Sequence, residues 1–321
     1  MDVADMVTVI REMPDPHYAH LWDCIIVEQA VKDRLLRSAL LGLRLRAELP
    51  FETTALHGLI LLHGPPGTGK TTLGRGLAHQ LAPFTKRRKT RLIEINPHGL
   101  MSAEHGQSQR KVTELLTQYI PQLADDLLPT VVLLDEVESM AVARSEASLA
   151  ANPADVHRAT DAVLAALDSS AAGLAHLVFV ATSNFTGALD IAFHSRVDAA
   201  IHMPAPDTEA AVAILKHTLE GMSTRFPALA RLAKSSALRK VAQRLAGNDG
   251  RRIRKTVTEG MLGRLEASID PGQLTVDDLL EAATRVSTNG RPEVRKRGER
   301  KWNELGASRQ PPFGVRPRRG R

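Results

Sequence analysis

The run GPPGTGKT at residues 64–71 constrains this chain more than any other feature, because it follows a short apolar segment, GLILLH at 58–63, and opens a helical pattern at 71–81. A strand that turns through glycines into a helix is the context in which backbone N–H groups wrap a phosphate. Gly64, Gly67 and Gly69 keep side chains out of that turn, while Pro65, Pro66 and Thr68 fill the positions between them. Lys70 is placed to reach the outer phosphates of a nucleotide, Thr71 to put a hydroxyl on Mg²⁺, and Thr72 to border the bound nucleotide.

A second apolar run, VVLL at 131–134, delivers Asp135 and Glu136 to its C-terminal end, where ligands sit in parallel sheets. Asp135 is the candidate for the metal shell and Glu136 for polarising an attacking water. That pair points to water as the phosphate acceptor and to ATP hydrolysis rather than nucleotide phosphorylation. Asn184 closes a further apolar strand, VFVATSN at 178–184, and can bridge the γ-phosphate and the water. Arg196, in FHSRVD at 193–198, is the candidate to neutralise charge that spreads during phosphoryl transfer. Arg251 opens a later helix in GRRIRK at 250–255 and is a second candidate phosphate contact.

Strands are expected at 58–63, 91–95, 130–134, 177–181 and 199–202, alternating with helices. Because the strands are apolar on both faces, they should form a parallel sheet covered on both sides. The strand at 91–95 lies between the two phosphate motifs, as in ATPases with an extra strand in mid-sheet. After Pro206 only helical signatures remain: 209–219, 238–245, 251–267 and 276–286, with Thr275 as a helix N-cap. The expected organisation is an N-terminal extension at 1–21, a large α/β domain at 22–206, a helical lid at 207–288 and a tail at 289–321.

Charge separates the tail from the rest. Residues 289–321 hold eleven Lys/Arg against three Asp/Glu, a net of +8. The whole chain is +6, so the remainder is −2. The tail lacks apolar periodicity and is expected to be disordered, and nothing else in the chain resembles a nucleic-acid reader. One cysteine, Cys24, excludes an internal disulfide, and no apolar run reaches the ~20 residues of a membrane helix. No secretory leader is evident, so a cytoplasmic location is expected.

These motifs together resemble the AAA+ superfamily. Within it, HGPPGTGKTTL at 63–73, LIEINPHGLMS at 92–102, LLDEVESMAVAR at 133–144, ATSNFTGALDIAFHSRVD at 181–198 and GNDGRRIRK at 247–255 resemble the pachytene-checkpoint-type ATPases. The resemblance runs from about Trp22 to the end of the helical lid. It implies a five-stranded parallel sheet of order 5-1-4-3-2 with a C-terminal lid. It also implies Asn184 as a first sensor, Arg196 as a finger acting in trans and Arg251 as a second sensor.

Such ATPases form hexamers that thread a substrate segment and partly unfold HORMA-domain proteins. The short N-terminal stretch resembles bacterial members that regulate antiphage signalling systems (CBASS), in which a HORMA protein is detached from a cyclic-oligonucleotide synthase (a CD-NTase). A departure from the usual pattern is the first pore loop, residues 101–106, which offers Met101 and His105 but no aromatic. The second would span 145–153. Weaker grip and limited, local remodelling are therefore expected. The alternatives are a generic unfoldase, a nucleic-acid motor or loader using the basic tail, or a nucleotide-dependent scaffold with little turnover.

Overall fold

The computed structural model describes residues 6–95, 107–124, 126–141, 154–185, 187 and 189–289. Both pore-loop stretches, the end of EINPH and the basic tail beyond Asn289 lie outside the described residues.

Six strands form one sheet: β1 (Val7–Met13), β2 (Leu59–His63), β3 (Thr90–Ile95), β4 (Thr130–Leu134), β5 (Leu177–Ser183) and β6 (Ala199–His202). Their order is β1-β3-β4-β5-β2-β6. The five strands expected from the apolar runs are all parallel and stand in the expected order.

The sheet differs from expectation at one edge. Residues 7–13, expected to lie in an N-terminal extension, instead pair antiparallel with β3, from Val7 opposite Ile95 to Met13 opposite Thr90. Pairing satisfies the outer backbone groups of β3, which would otherwise be a bare edge. Met6 and Met13 are buried in the cores on the two faces of the sheet. The helix Pro16–Asp23 continues this packing: Trp22 lies so close to Gly76 that any side chain at 76 would collide with it.

Helices cover both faces. Gln29–Glu48 and Lys70–Leu81 contribute to one core, with Leu35, Leu73 and Leu77 fully buried. The helical stretch from Gln107 to Leu123 contributes to the other with Val112 and Leu115. That stretch widens into a π-helical turn at Leu115–Tyr119, two residues ahead of Pro121, whose missing N–H cannot pair with the preceding turn. Ala154–Gly173 completes this layer.

After β6 the chain is helical and has a third core of its own, including Ile214, Leu219, Val241, Ile253 and Leu279. The single helix expected over 251–267 is two, Gly250–Met261 and Leu265–Ile269. Between them Arg264 is extended (φ −137°), and its guanidinium bonds both oxygens of Asp278. Thr275 and Asp278 cap the last helix reciprocally: the Asp278 N–H bonds the Thr275 hydroxyl, and the Asp278 carboxylate accepts the Thr275 N–H.

Candidate functional site

The site forms where β2, β4 and β5 end together. Register brings His63 of β2 beside Ser183 of β5, and Leu134 of β4 beside Ala181 of β5. The residues following each strand therefore converge at one edge of the sheet. Gly64 leaves β2 at φ +145°, pressed against the Met203 carbonyl, where a Cβ would not fit. Gly69 then takes a left-handed conformation (φ +93°) and starts the helix Lys70–Leu81, so the loop amides and the helix N-terminus face the same space.

Lys70 is 5% exposed. Its ammonium donates to the carbonyls of Gly64 and Pro65, both at 2.8 Å. Burial lowers its pKa, and the carboxylates of Glu138, Asp135 and Glu136 oppose that shift. The Thr71 hydroxyl donates to Asp135 Oδ1 at 2.6 Å, and the Thr182 hydroxyl donates to the same oxygen at 2.6 Å. Asn184 is held from two sides. Its N–H donates to Glu138 Oε1 at 3.0 Å, and its side-chain amide reaches Glu136 Oε1 at 3.4 Å.

A cavity of about 320 Å³ is lined by Pro66, Gly67, Gly69, Lys70, Thr71, Thr72, Arg75, Asp135, Glu136, Thr182, Asn184 and Arg251. Beside it a second cavity of about 220 Å³ is bounded by Ile25, Ile26, Thr68, Pro206, Ile214 and Arg254, and it shares Gly67, Gly69, Thr72 and Arg251 with the first. The first is polar and sized for phosphates; the second has an apolar rim suited to a base.

The donor set fits a nucleotide with Mg²⁺. Thr71 and Asp135 present oxygen ligands, and the described residues hold no cluster of three or more His, Cys, Asp or Glu for a metal. One hydroxyl and one carboxylate suit a cation that takes its remaining ligands from phosphate and water.

Arg251 enters from the C-terminal helices. Asp249 caps its helix by accepting the Arg252 N–H at 2.9 Å. Arg251, the second residue of that helix, lines both cavities. Arg196 lies elsewhere. It pairs with Asp168 through two 2.7 Å bonds and donates to the Ala192 carbonyl at 2.7 Å. That pairing holds the Asp168 carboxyl below its ordinary pKa. Arg196 borders neither cavity.

Several neighbours of the site were not singled out from the sequence. Thr182 and Glu138 fix the strand tips. Arg75 lines the phosphate cavity while paired with Glu94 of β3 at 2.8 and 2.5 Å. Ile25 packs with the sheet core, whereas its neighbour Ile26 packs with the C-terminal core. Arg254 ties the same segment down by donating to the Cys24 carbonyl at 2.6 Å. For Ile25 and Ile26 the signal in sequence was the apolar Ile-Ile-Val at 25–27, just ahead of the first long helix.

A mainly parallel sheet with phosphate loop, Asp-Glu strand end and C-terminal helices is the architecture of an AAA ATPase. The family model for the ATPase family associated with various cellular activities (AAA) matches residues 60–205. The chain is 44% identical over 271 residues to CD-NTase-associated protein 6 of Pseudomonas aeruginosa, covering 84% of this chain and 89% of that protein. It is 33% identical over 216 residues to the pachytene checkpoint protein 2 homolog of Arabidopsis thaliana, covering 66% of this chain and 46% of the relative. It thus spans about half the length of that relative. A chain in the solved HORMA:CdnC:Trip13 complex of E. coli MS115-1 superposes with a TM-score of 0.70 at 16% identity, covering 89% of this chain and 97% of that one. This chain belongs to the AAA ATPase family. No helix among the described residues is long and apolar enough to cross a membrane.

Proposed function

We propose that this ATPase works as a homo-hexameric ring that uses ATP to remodel a HORMA-domain protein, releasing it from a CD-NTase and so restraining an antiphage signalling system. The observation that carries the chemical half is the convergence of Lys70, Thr71, Asp135, Glu136, Asn184 and Arg251 on one cavity. The biological half rests on the 44% identity to CD-NTase-associated protein 6 over most of both chains.

In this reading the loop amides of 64–71 and Lys70 hold the phosphates. Thr71 and Asp135 hold Mg²⁺, which when bound neutralises phosphate charge. Glu136 orients the attacking water and takes its proton, with Asn184 fixing the Glu136 carboxylate. Arg251 contacts the phosphates from the C-terminal helices, and Arg196 serves the neighbouring subunit's nucleotide. The cavity rim of Ile25, Ile26, Pro206 and Ile214 encloses the base.

The test is ATP-dependent release of a candidate HORMA protein from its nucleotidyltransferase complex, compared between the native chain and Glu136→Gln. The native chain should release the complex. Glu136→Gln should bind ATP, lose at least ~100-fold in turnover and retain the substrate. Wild-type turnover by Glu136→Gln would reject it as the base, and ATPase activity without release would reject the substrate.

A further inference from the structure

Strand geometry presents a difficulty at the Asp135–Glu136 pair. Successive side chains on a strand point to opposite faces, so a straight continuation of β4 would send one of the two carboxylates away from the phosphates. The structure resolves this at Glu136, which takes φ +50° and ψ +53°. That left-handed turn brings both carboxylates to the same cavity. It is an unfavourable conformation for a residue with a side chain, so it persists only where neighbours impose it.

The neighbour that does so is Thr182 of β5, which is 1% exposed. Its hydroxyl oxygen accepts the Glu136 N–H at 3.0 Å and donates its own proton to Asp135 Oδ1 at 2.6 Å. One group thus clasps the Asp-Glu junction at both ends. Only a hydroxyl can do this in so confined a space, since it both accepts and donates from one atom. Thr71 donates to the same Asp135 oxygen, but its hydroxyl is also the one proposed to ligate Mg²⁺. Thr182 has no such second task. From the far side, the Ser139 N–H and hydroxyl hold the Glu136 carbonyl at 3.0 and 2.9 Å.

We infer that Thr182 is a positioning residue for ATP hydrolysis, its hydroxyl holding Glu136 in the left-handed turn that aims the carboxylate at the attacking water. This rests on the reading of Glu136 as the base. It requires the hydroxyl rather than the shape of the side chain.

The experiment compares Thr182→Val, which keeps the shape, with Thr182→Ser, which keeps the hydroxyl, in the full chain. Steady-state ATPase activity, affinity for a fluorescent ATP analogue with Mg²⁺ and thermal melting are measured for each. Thr182→Val should lose about tenfold or more in kcat, while nucleotide affinity stays within about twofold and Thr182→Ser keeps most of the turnover. Thr182→Ala serves as a second hydroxyl-free variant should the valine variant not fold. Full turnover in a hydroxyl-free variant, equal losses in the serine and valine variants, or affinity falling in step with kcat would each overturn the inference. So would failure of both hydroxyl-free variants to fold while the serine variant folds, since the hydroxyl would then serve stability. Glu136→Gln separates the two readings. If it keeps wild-type turnover, the base assignment fails; if it is inactive while Thr182→Val is fully active, only the role of Thr182 fails.

Discussion

Two arginines proposed to meet phosphate, Arg251 and Arg196, occupy opposite situations. Arg251 leads a capped helix into the phosphate cavity of its own chain and has no ion pair among the described residues. Arg196 has its guanidinium occupied by Asp168 and the Ala192 carbonyl and lies outside that cavity. The difference separates an arginine that lines the phosphate cavity of its own chain from one that the proposed ring would use in trans. Lys70, Thr71, Asp135, Glu136, Asn184 and Arg251 are brought together by a single sheet edge and the starts of two helices, Lys70–Leu81 and Gly250–Met261. Arg196 is fixed by Asp168 and the Ala192 carbonyl and borders neither cavity of its own chain.

The largest expected effect breaks this comparison at Arg196. Arg196→Ala should bind nucleotide normally yet lose about a thousandfold in turnover. Arg196→Lys should not rescue it, because an ammonium lacks the planar fork. Mixing decides between cis and trans action. Arg196→Ala supplies an intact Glu136, and Glu136→Gln supplies an intact Arg196, so mixed assemblies of two inactive variants should regain ATPase activity. Mixtures that stay inactive at every ratio, under conditions where subunits exchange, would place Arg196 outside the trans role.

Arg251 should give a smaller effect, since it joins a site that already holds Lys70 and the loop amides. Arg251→Ala is expected to weaken nucleotide affinity by about tenfold, the scale of one charge-assisted hydrogen bond, and to retain turnover at saturating ATP. Unchanged affinity and turnover would mean that the cavity wall at Arg251 is steric only.

How much of this was legible in sequence follows from what each residue needs. The phosphate loop and the positions of five parallel strands could be read because glycines at fixed spacing and strands apolar on both faces have few other uses, while the order of the strands came from the resemblance to AAA+ ATPases. β1 was missed because it is an edge strand whose side chains are largely exposed, so its pattern carries little burial signal. Thr182 was invisible for another reason. A threonine is ordinary in a strand, and its role depends on Glu136, which lies 46 positions away and comes close only through the β4–β5 register. Asp168 meets Arg196 in the same way, across 28 positions. The lid helix expected over 251–267 failed at Arg264, whose partner Asp278 lies in the next long helix. Chemistry set by local spacing was readable; chemistry set by pairing between elements was not.

The smallest effect on the reaction is expected at that last pair, and it sharpens the comparison by asking whether the helices carrying Arg251 act as a rigid support. Asp278 accepts two bonds from Arg264 at 2.7 and 2.9 Å and two from Thr275 at 2.9 and 2.7 Å. Arg264 above all, then Thr275, brings its pKa from the ordinary 3.8 down to about 2. A carboxylate with a lowered folded-state pKa stabilises fully above its unfolded value, and that stabilisation is lost as pH falls from about 3.8 through about 2. Asp278→Asn should therefore lower stability by about 1–2 kcal/mol at neutral pH and flatten the acid dependence of melting in that window. Turnover at neutral pH, well below the melting transition, should be unchanged, because the C-terminal helices keep a core of their own and Asp249 still caps the helix that presents Arg251. A fall in turnover at unchanged nucleotide affinity would instead show that stiffness in the C-terminal helices is transmitted to the strand tips, and that Arg251 is not as independent of its support as its place in the cavity implies.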